Sequence, residues 1–207
     1  MSFRISLRFF AAAVLLSVLF IPGIASAQDD EQIQAMEWRA IGPFNGGRGT
    51  SVVGHPTDPM VFWFGHSSGG LWKTEDAGAY WLPVGEGQFN YASVGAIAIS
   101  EKDPDILYVG LGEPNMRQSV SWGDGMYKST DGGETWQHIG LESLKQIARI
   151  RIHPDNPDVV YVATPGHAFG PSEDRGVFKT TDGGKTWNKV LYKNEGTGAI
   201  DLVMSPG

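Results

Sequence analysis

Four residues of one short stretch, Glu113, Arg117, Trp122 and Asp124, are the side chains of this chain best suited to hold a ligand together. Carboxylates and a guanidinium group bind hydroxyl groups or a chain terminus through charge-assisted hydrogen bonds. An indole offers a flat apolar face with one polar edge. The stretch therefore indicates a binding site for a carbohydrate or a peptide. The alternative is ordinary loop scaffolding, with Trp122 as a packing residue.

Two further residues join this candidate set. Arg48 flanks an apolar stretch and either faces a central channel or pairs with an acid. His167 lies in a polar stretch near Phe169, although a single histidine is more often structural than catalytic. We predict both as ligand-binding residues, and we predict no catalytic residue.

Other kinds of chemistry find little support in the sequence. The chain has no cysteine, which excludes disulfides, thiol catalysis and cysteine metal sites. No histidine and carboxylate cluster has metal-ligand spacing, so we expect neither a metal nor a cofactor. Gly65–Gly69 fits the letters G-x-S-x-G, but a nucleophile elbow needs a helix after its strand, and a strand is predicted here.

An internal repeat dominates the rest of the sequence. Three octets fit the pattern S/T-x-D-x-G-x-x-W, and their aspartates lie 55 and 51 residues apart. The octets are TEDAGAYW (74–81), STDGGETW (129–136) and TTDGGKTW (180–187). A second motif, a polar turn with proline, recurs once per repeat, at 55–59, 101–105 and 153–158. This periodicity indicates a repeat architecture.

Each repeat reads as four short strands. One apolar stretch precedes the proline turn, a second follows it, a third runs into the octet and a fourth leaves it at the tryptophan. Four strands per unit of this length are typical of a propeller blade. We predict an all-β fold, a β-propeller of four-stranded antiparallel blades over 38–207. The blades cover about 38–92, 93–146 and 147–196, and 197–207 is the first strand of a fourth blade of an incomplete propeller.

The octets are predicted to be structural turns between the third and fourth strands. The aspartate accepts hydrogen bonds from turn amides, glycine allows a positive φ, and tryptophan packs on the blade. Capping alone explains these aspartates, so we do not interpret them as catalytic or calcium-binding. The predicted structural residues are Thr74, Asp76, Gly78, Trp81, Ser129, Asp131, Gly133, Trp136, Thr180, Asp182, Gly184 and Trp187.

Strand order divides the turns between two ends of the blades. Proline turns and octets lie at one end. The other end carries the loops between second and third strands and the connections between blades. Because long loops on a rigid scaffold usually carry binding residues, this second end is the candidate functional face. We call it the loop end.

The first 27 residues resemble a cleaved export signal. Arg4 and Arg8 precede an apolar run that is too short to span a membrane, and Ala25-Ser26-Ala27 suits cleavage before Gln28. Residues 28–37 form a lead-in to the propeller. We expect an exported protein of the periplasm, cell surface or extracellular space, with no transmembrane segment after cleavage. Its net charge of −7 argues against nucleic-acid binding.

The octets resemble the Asp-box (BNR) repeat of sialidases, sortilin-type propellers and xyloglucanases. Segments such as GPFNGGR (42–48) and SWGDGMYKSTDGGETW (121–136) resemble large bacterial exported Asp-box proteins, often labelled sortilin N-terminal-like or glycosyl-hydrolase-like. The resemblance covers essentially all of 38–207 and identifies the chain as an N-terminal fragment, with further blades of a longer chain as partners. It implies the fold more strongly than an activity.

Three functions stay open from the sequence. The favoured one is a binding or scaffold module for a carbohydrate or a peptide. The second is the N-terminal part of a xyloglucanase-like glycoside hydrolase, and the third is a sortilin-like receptor module for peptides. Xyloglucanases carry a catalytic aspartate in a T-D-x-G-G-A-Y context, where this chain has Ser67. The resemblance therefore implies that the catalytic carboxylates of any such enzyme lie outside this chain.

Overall fold

The computed structural model describes residues 47–205. The predicted signal, the lead-in and the start of the first blade lie outside the described residues. Within 47–205 the chain forms twelve strands, no helix and three separate four-stranded sheets. The predicted all-β fold of antiparallel four-stranded blades is confirmed.

Every sheet follows the order of the chain, and every pair of neighbouring strands is antiparallel. Blade 1 consists of β1 (Gly49–Gly54), β2 (Phe62–His66), β3 (Leu71–Thr74) and β4 (Leu82–Val84). Blade 2 consists of β5 (Val94–Ile99), β6 (Leu107–Leu111), β7 (Met126–Ser129) and β8 (Gln137–His138). Blade 3 consists of β9 (Arg149–His153), β10 (Asn156–Thr164), β11 (Gly176–Thr180) and β12 (Asn188–Leu191).

The core lies between the blades rather than within them. Trp63 and Leu71 of blade 1 share one buried cluster with Val109 and Trp136 of blade 2. A second cluster joins blade 2 to blade 3 through residues that include Tyr108. Because each sheet buries an apolar face only against its neighbour, the blades depend on stacking for their stability.

The first strands of the three blades lie side by side. Arg48 and Ser93 each lie one residue before the first paired residue of their blades, and Gln146 lies three residues before Arg149, the first paired residue of blade 3. The main-chain carbonyl of each accepts a hydrogen bond from a residue at the end of the second strand or just after it. Blades 1 and 2 therefore share one main-chain hydrogen bond at the loop end, and in blade 3 the Thr164 side chain makes the corresponding contact.

Residues 197–205 show one difference from the sequence-based expectation. They form no strand, because no further strand of the described chain is available to pair with them. Their position is nevertheless fixed against blade 3, where Ala199 N donates to Thr164 O at 3.0 Å. The assignment of 197–207 to a fourth blade stays a prediction.

Candidate functional site

An ion pair at the loop end connects the first two blades. The Arg48 guanidinium donates to Glu113 Oε1 from Nε at 3.0 Å and from Nη2 at 2.7 Å, and Nη2 also contacts Oε2. Glu113 has no exposed surface, whereas the Arg48 side chain is 40% exposed. The sequence placed both residues in the candidate site, and the structure brings them together. Glu113 holds Arg48 in place, and only Arg48 presents surface to a ligand.

Ser67 supports the same arrangement from blade 1. Its main-chain N donates to Arg48 O at 2.9 Å, and its hydroxyl accepts a long hydrogen bond from Arg48 N at 3.4 Å. The side chain is buried. A hydroxyl at this position fixes the backbone of Arg48 but cannot act as a general acid near neutral pH, because its proton is too weakly acidic.

Asp124 belongs to a separate network of the same loop. Its carboxylate accepts hydrogen bonds from Asn90 Nδ2 at 2.7 Å and from the Tyr127 hydroxyl at 3.1 Å. Burial, together with the nearby Asp124 carboxylate, raises the pKa of Tyr127 to about 12, so this hydroxyl remains a donor. The hydrogen bond from Asn90 connects the loop to the connection between blades 1 and 2. The Asp124 carboxylate is therefore already hydrogen-bonded within the protein.

The remaining candidates differ in their access to solvent. Arg117 and Trp122 are exposed, and the Trp122 ring is 55% accessible. His167 is half-buried, and its carbonyl oxygen lies 3.5 Å from Arg175 Nη2. Of the six candidate residues, Arg48, Arg117 and Trp122 therefore offer the surface that a ligand could contact most readily.

An exposed aromatic ring accompanies each blade at the loop end. Tyr91 lies in the connection after blade 1, Trp122 in the long loop of blade 2, and Phe169 in the corresponding loop of blade 3. Tyr192 lies in the connection after β12 and is also exposed. Sequence reasoning singled out Trp122 but missed Tyr91 and Tyr192. The signal that could have found them is the recurrence of one aromatic residue per loop-end segment.

The three octets form the same turn at the opposite end. In each, the first hydroxyl donates to the aspartate, at 2.7 Å for Ser129 Oγ and Asp131 Oδ1, and accepts from the glycine amide at position five. Asp131 also accepts from Thr135 N at 2.9 Å and from the Thr135 hydroxyl. These hydrogen bonds, the Thr135 side chain foremost, lower the pKa of Asp131 to about 2. The carboxylates of the three octet aspartates are thus hydrogen-bonded within their own turns.

Two of the three octet tryptophans, Trp136 and Trp187, contact the segment that precedes their own blade. Trp136 packs its ring against Phe89 of the preceding connection at a centroid distance of 5.4 Å. Trp187 Nε1 donates to Ile139 O at 2.8 Å. The second and third octets therefore position a large side chain against the preceding blade segment, which stabilises the packing of the blades.

Within residues 47–205, no group of three or more His, Asp or Glu side chains is close enough together to bind a metal ion. Over the same residues, no helix has the length and apolar character that crossing a bilayer requires.

No protein-family model matches the chain. Curated relatives include a xyloglucanase of Acetivibrio thermocellus, 24% identical over 96% of this chain and 24% of its own length. A xyloglucanase of Paenibacillus sp. is 28% identical over 62% of this chain and 13% of its own length. A xyloglucanase of Hypocrea jecorina is 26% identical over 75% of this chain and 19% of its own length. The chain spans about a quarter, or less, of these relatives.

Solved structures agree on the fold. An ancestral GH74 enzyme superposes with a TM-score of 0.60 at 23% identity, over 80% of this chain and 21% of that one. The GH74 xyloglucanase from Xanthomonas campestris superposes with a TM-score of 0.53 at 21% identity, over 74% of this chain and 22% of that one. YCF48 from Cyanidioschyzon merolae superposes with a TM-score of 0.51 at 19% identity, over 77% of this chain and 44% of that one. The chain is a β-propeller segment with sequence similarity to xyloglucanases.

Proposed function

We propose that this chain is a segment of an exported, glycoside-hydrolase-like propeller protein whose loop end binds carbohydrate. The similarity to xyloglucanases supports the ligand class. The apparent export signal supports the location, because polysaccharides of this kind are met outside the cell. Binding, rather than bond cleavage, is the role that the described blades contribute.

The observation that carries the proposal is the set of exposed rings at the loop end. Tyr91, Trp122 and Phe169 come from successive blade segments, and each exposes a large apolar surface. Sugar rings present apolar C–H faces that stack on aromatic rings, while their hydroxyl groups need polar partners. Arg48 and Arg117 supply donors on the same end of the blades. A glycan chain that lies across several blades would contact one of these rings on each blade.

Catalysis by these blades finds no support in the geometry. A glycosidase needs two carboxyl groups on either side of the scissile bond. Ser67 stands where the resemblance to xyloglucanases requires an aspartate. Glu113 is buried and accepts hydrogen bonds from Arg48, and Asp124 accepts hydrogen bonds from Asn90 and Tyr127. The carboxylates nearest to the candidate site are therefore engaged in holding the loops.

Binding can be tested by titrating the purified chain with xyloglucan oligosaccharides in a calorimeter. We expect saturable binding that Trp122→Ala weakens about tenfold, which corresponds to loss of about 1.4 kcal/mol of ring contact. The matched control is Tyr80→Ala, which removes an exposed ring from the octet end. It should leave binding unchanged. Equal losses in both variants, or none in either, would contradict a carbohydrate site at the loop end.

A peptide ligand is the competing proposal, and the same titration separates the two. A mixture of short peptides with free carboxyl ends is titrated in place of the oligosaccharide. Saturable binding of peptides, with no heat from the oligosaccharides, would reject the carbohydrate proposal in favour of a receptor module.

A further inference from the structure

The first octet departs from the other two at its exposed positions. At the seventh octet position blade 1 has Tyr80 where the other blades have threonine, and directly after the octet it has Leu82 where they have glutamine or asparagine. Tyr80 is 68% exposed and Leu82 is 57% exposed. Two large apolar side chains therefore face solvent where the repeat otherwise places polar ones. Those polar residues are Thr135, Gln137, Thr186 and Asn188.

The proline turn of blade 1 departs from the repeat in the same way. Met60 O accepts a hydrogen bond from the first octet, from Ala77 N at 2.8 Å. In blades 2 and 3 the corresponding acceptors are the carbonyls of Asp105 and Asp158. An exposed methionine thus stands where both other blades have an aspartate. We call Met60, Tyr80 and Leu82 the blade-1 patch.

The exposure of these positions belongs to the turns themselves. Thr135 and Gln137 of blade 2 are exposed, although Trp136 between them is buried in the cluster shared with blade 1. Asp105 is exposed as well. A blade packed in front of the octet therefore leaves these positions open to solvent, and the blade-1 patch does not depend on what covers the face of blade 1.

Carboxylates border the blade-1 patch. Asp58 Oδ1 accepts a hydrogen bond from Met60 N at 2.9 Å, and Asp76 Oδ1 accepts one from Tyr80 N at 2.9 Å. The Glu75 side chain next to Asp76 is largely exposed, whereas Lys73, which pairs with Glu75, is mostly shielded. The border of the patch is therefore acidic.

Tyr80 also removes a hydrogen bond from its own turn. In the third octet the Thr186 hydroxyl donates to Asp182 Oδ2 at 2.6 Å, and the second octet has the same bond. Within residues 47–205, Tyr80 donates to Asp76 through its main-chain N alone. A residue that weakens its turn and leaves an apolar ring in water is typical of recognition rather than of folding.

We propose that the blade-1 patch is an interaction surface for a basic, apolar segment of a partner protein. The apolar side chains of the segment contact the patch, and its lysine or arginine side chains pair with the bordering carboxylates or lie over the Tyr80 ring. A second copy of this chain would bring the same carboxylates against these, and an anionic membrane would also be repelled. The patch lies at the end of blade 1 opposite the candidate carbohydrate site, so the two proposals are independent.

The probe is a short fluorescent peptide of alternating leucine and lysine, amidated so that it carries no terminal carboxylate. Fluorescence anisotropy with the full chain should show saturable binding that weakens as salt is added, because exposed ion pairs are screened. Tyr80→Thr should weaken binding about tenfold, as the loss of an aromatic anchor does. Leu82→Gln should weaken it too. Leu191→Gln is the matched control, because it makes the same change at an exposed leucine on the fourth strand of blade 3.

Two features keep the test specific. Tyr80→Thr and Leu82→Gln introduce the residues of blade 2, and the new threonine can donate to Asp76, so both variants should unfold at the wild-type temperature or above. A peptide with glutamate in place of lysine should not bind, because the border of the patch repels it.

The proposal is overturned if the lysine peptide does not bind, if the glutamate peptide binds equally well, or if Leu191→Gln weakens binding as much as Leu82→Gln. Light scattering and sedimentation with vesicles that contain phosphatidylglycerol test the other two occupants. A dimer, or vesicle binding, that Tyr80→Thr abolishes would also overturn it.

Discussion

The carboxylate of Glu113 and the guanidinium of Arg48 form a two-pronged ion pair across the boundary between blades 1 and 2. The carboxylate is fully buried and the guanidinium is partly open to solvent. This asymmetry has an energetic consequence. A buried carboxylate without its partner keeps the cost of leaving water and loses the compensating attraction.

Replacement of Arg48 by methionine should therefore destabilise the chain strongly. Breaking a buried pair from one side typically costs about 3–5 kcal/mol, and we expect the lower end of that range because Arg48 is partly exposed. Arg117→Met is the control, because it removes an exposed arginine from the same end. Urea unfolding of both variants provides the measurement. Similar midpoints for the two would show that the pair contributes little to the blade boundary.

Loss of the second octet aspartate should act on stability rather than on ligand binding. Asp131→Ala leaves the Glu134 and Thr135 amides and the Thr135 hydroxyl without their acceptor. By analogy with helix caps, the expected cost is about 1 kcal/mol. Denaturant midpoints and oligosaccharide titrations should be compared in one preparation. An unchanged midpoint combined with abolished binding would contradict a structural role for the octet.

The same aspartate predicts a pH dependence. The folded-state pKa of Asp131 is about 2, below its ordinary value of 3.8. A lowered pKa means that the carboxylate stabilises the fold above pH 3.8, and that this contribution disappears as the pH falls through about 2. The pKa of Asp182 is lowered too, first by the Thr186 side chain, so it acts in the same direction.

Asp131→Asn should accordingly flatten the fall in unfolding free energy between pH 3.8 and 2. Urea titrations at a series of pH values and one ionic strength measure this slope. Identical slopes for the wild type and the variant would mean that other carboxylates carry the acid sensitivity.

Much of the fold was accessible from the sequence because its signals are local and repeated. Proline turns and octets recur at similar spacing, and each specifies its own hairpin, so the predicted four-stranded antiparallel blades form. The candidate site was harder. Glu113 and Arg48 are far apart in the chain, and only the stacking of blades 1 and 2 decides that they pair.

Two glycines at the loop end, Gly112 and Gly70, share a positive φ but differ in the space around them. Gly112 has a φ of +93°, and a Cβ there would lie 1.9 Å from Lys145 O. Gly70 has a φ of +74° with open space around it. Alanine at Gly70 should cost about 1–2 kcal/mol through its left-handed backbone alone. Alanine at Gly112 should cost clearly more, because a main-chain carbonyl must also move. Thermal unfolding compares the two, and equal losses would contradict the close approach of the loop after β6 to the connection that follows β8.

Binding without cleavage is the central functional claim. The most direct measurement incubates the purified chain with xyloglucan and other β-glucans, and follows oligosaccharide binding and new reducing ends in the same samples. We predict binding that depends on Trp122 and no increase in reducing ends, because Ser67 has no carboxyl group and the Glu113 and Asp124 carboxylates are hydrogen-bonded within the loops. Turnover that persists through purification and disappears in Glu113→Gln or Asp124→Asn would contradict the account and make this loop an active site.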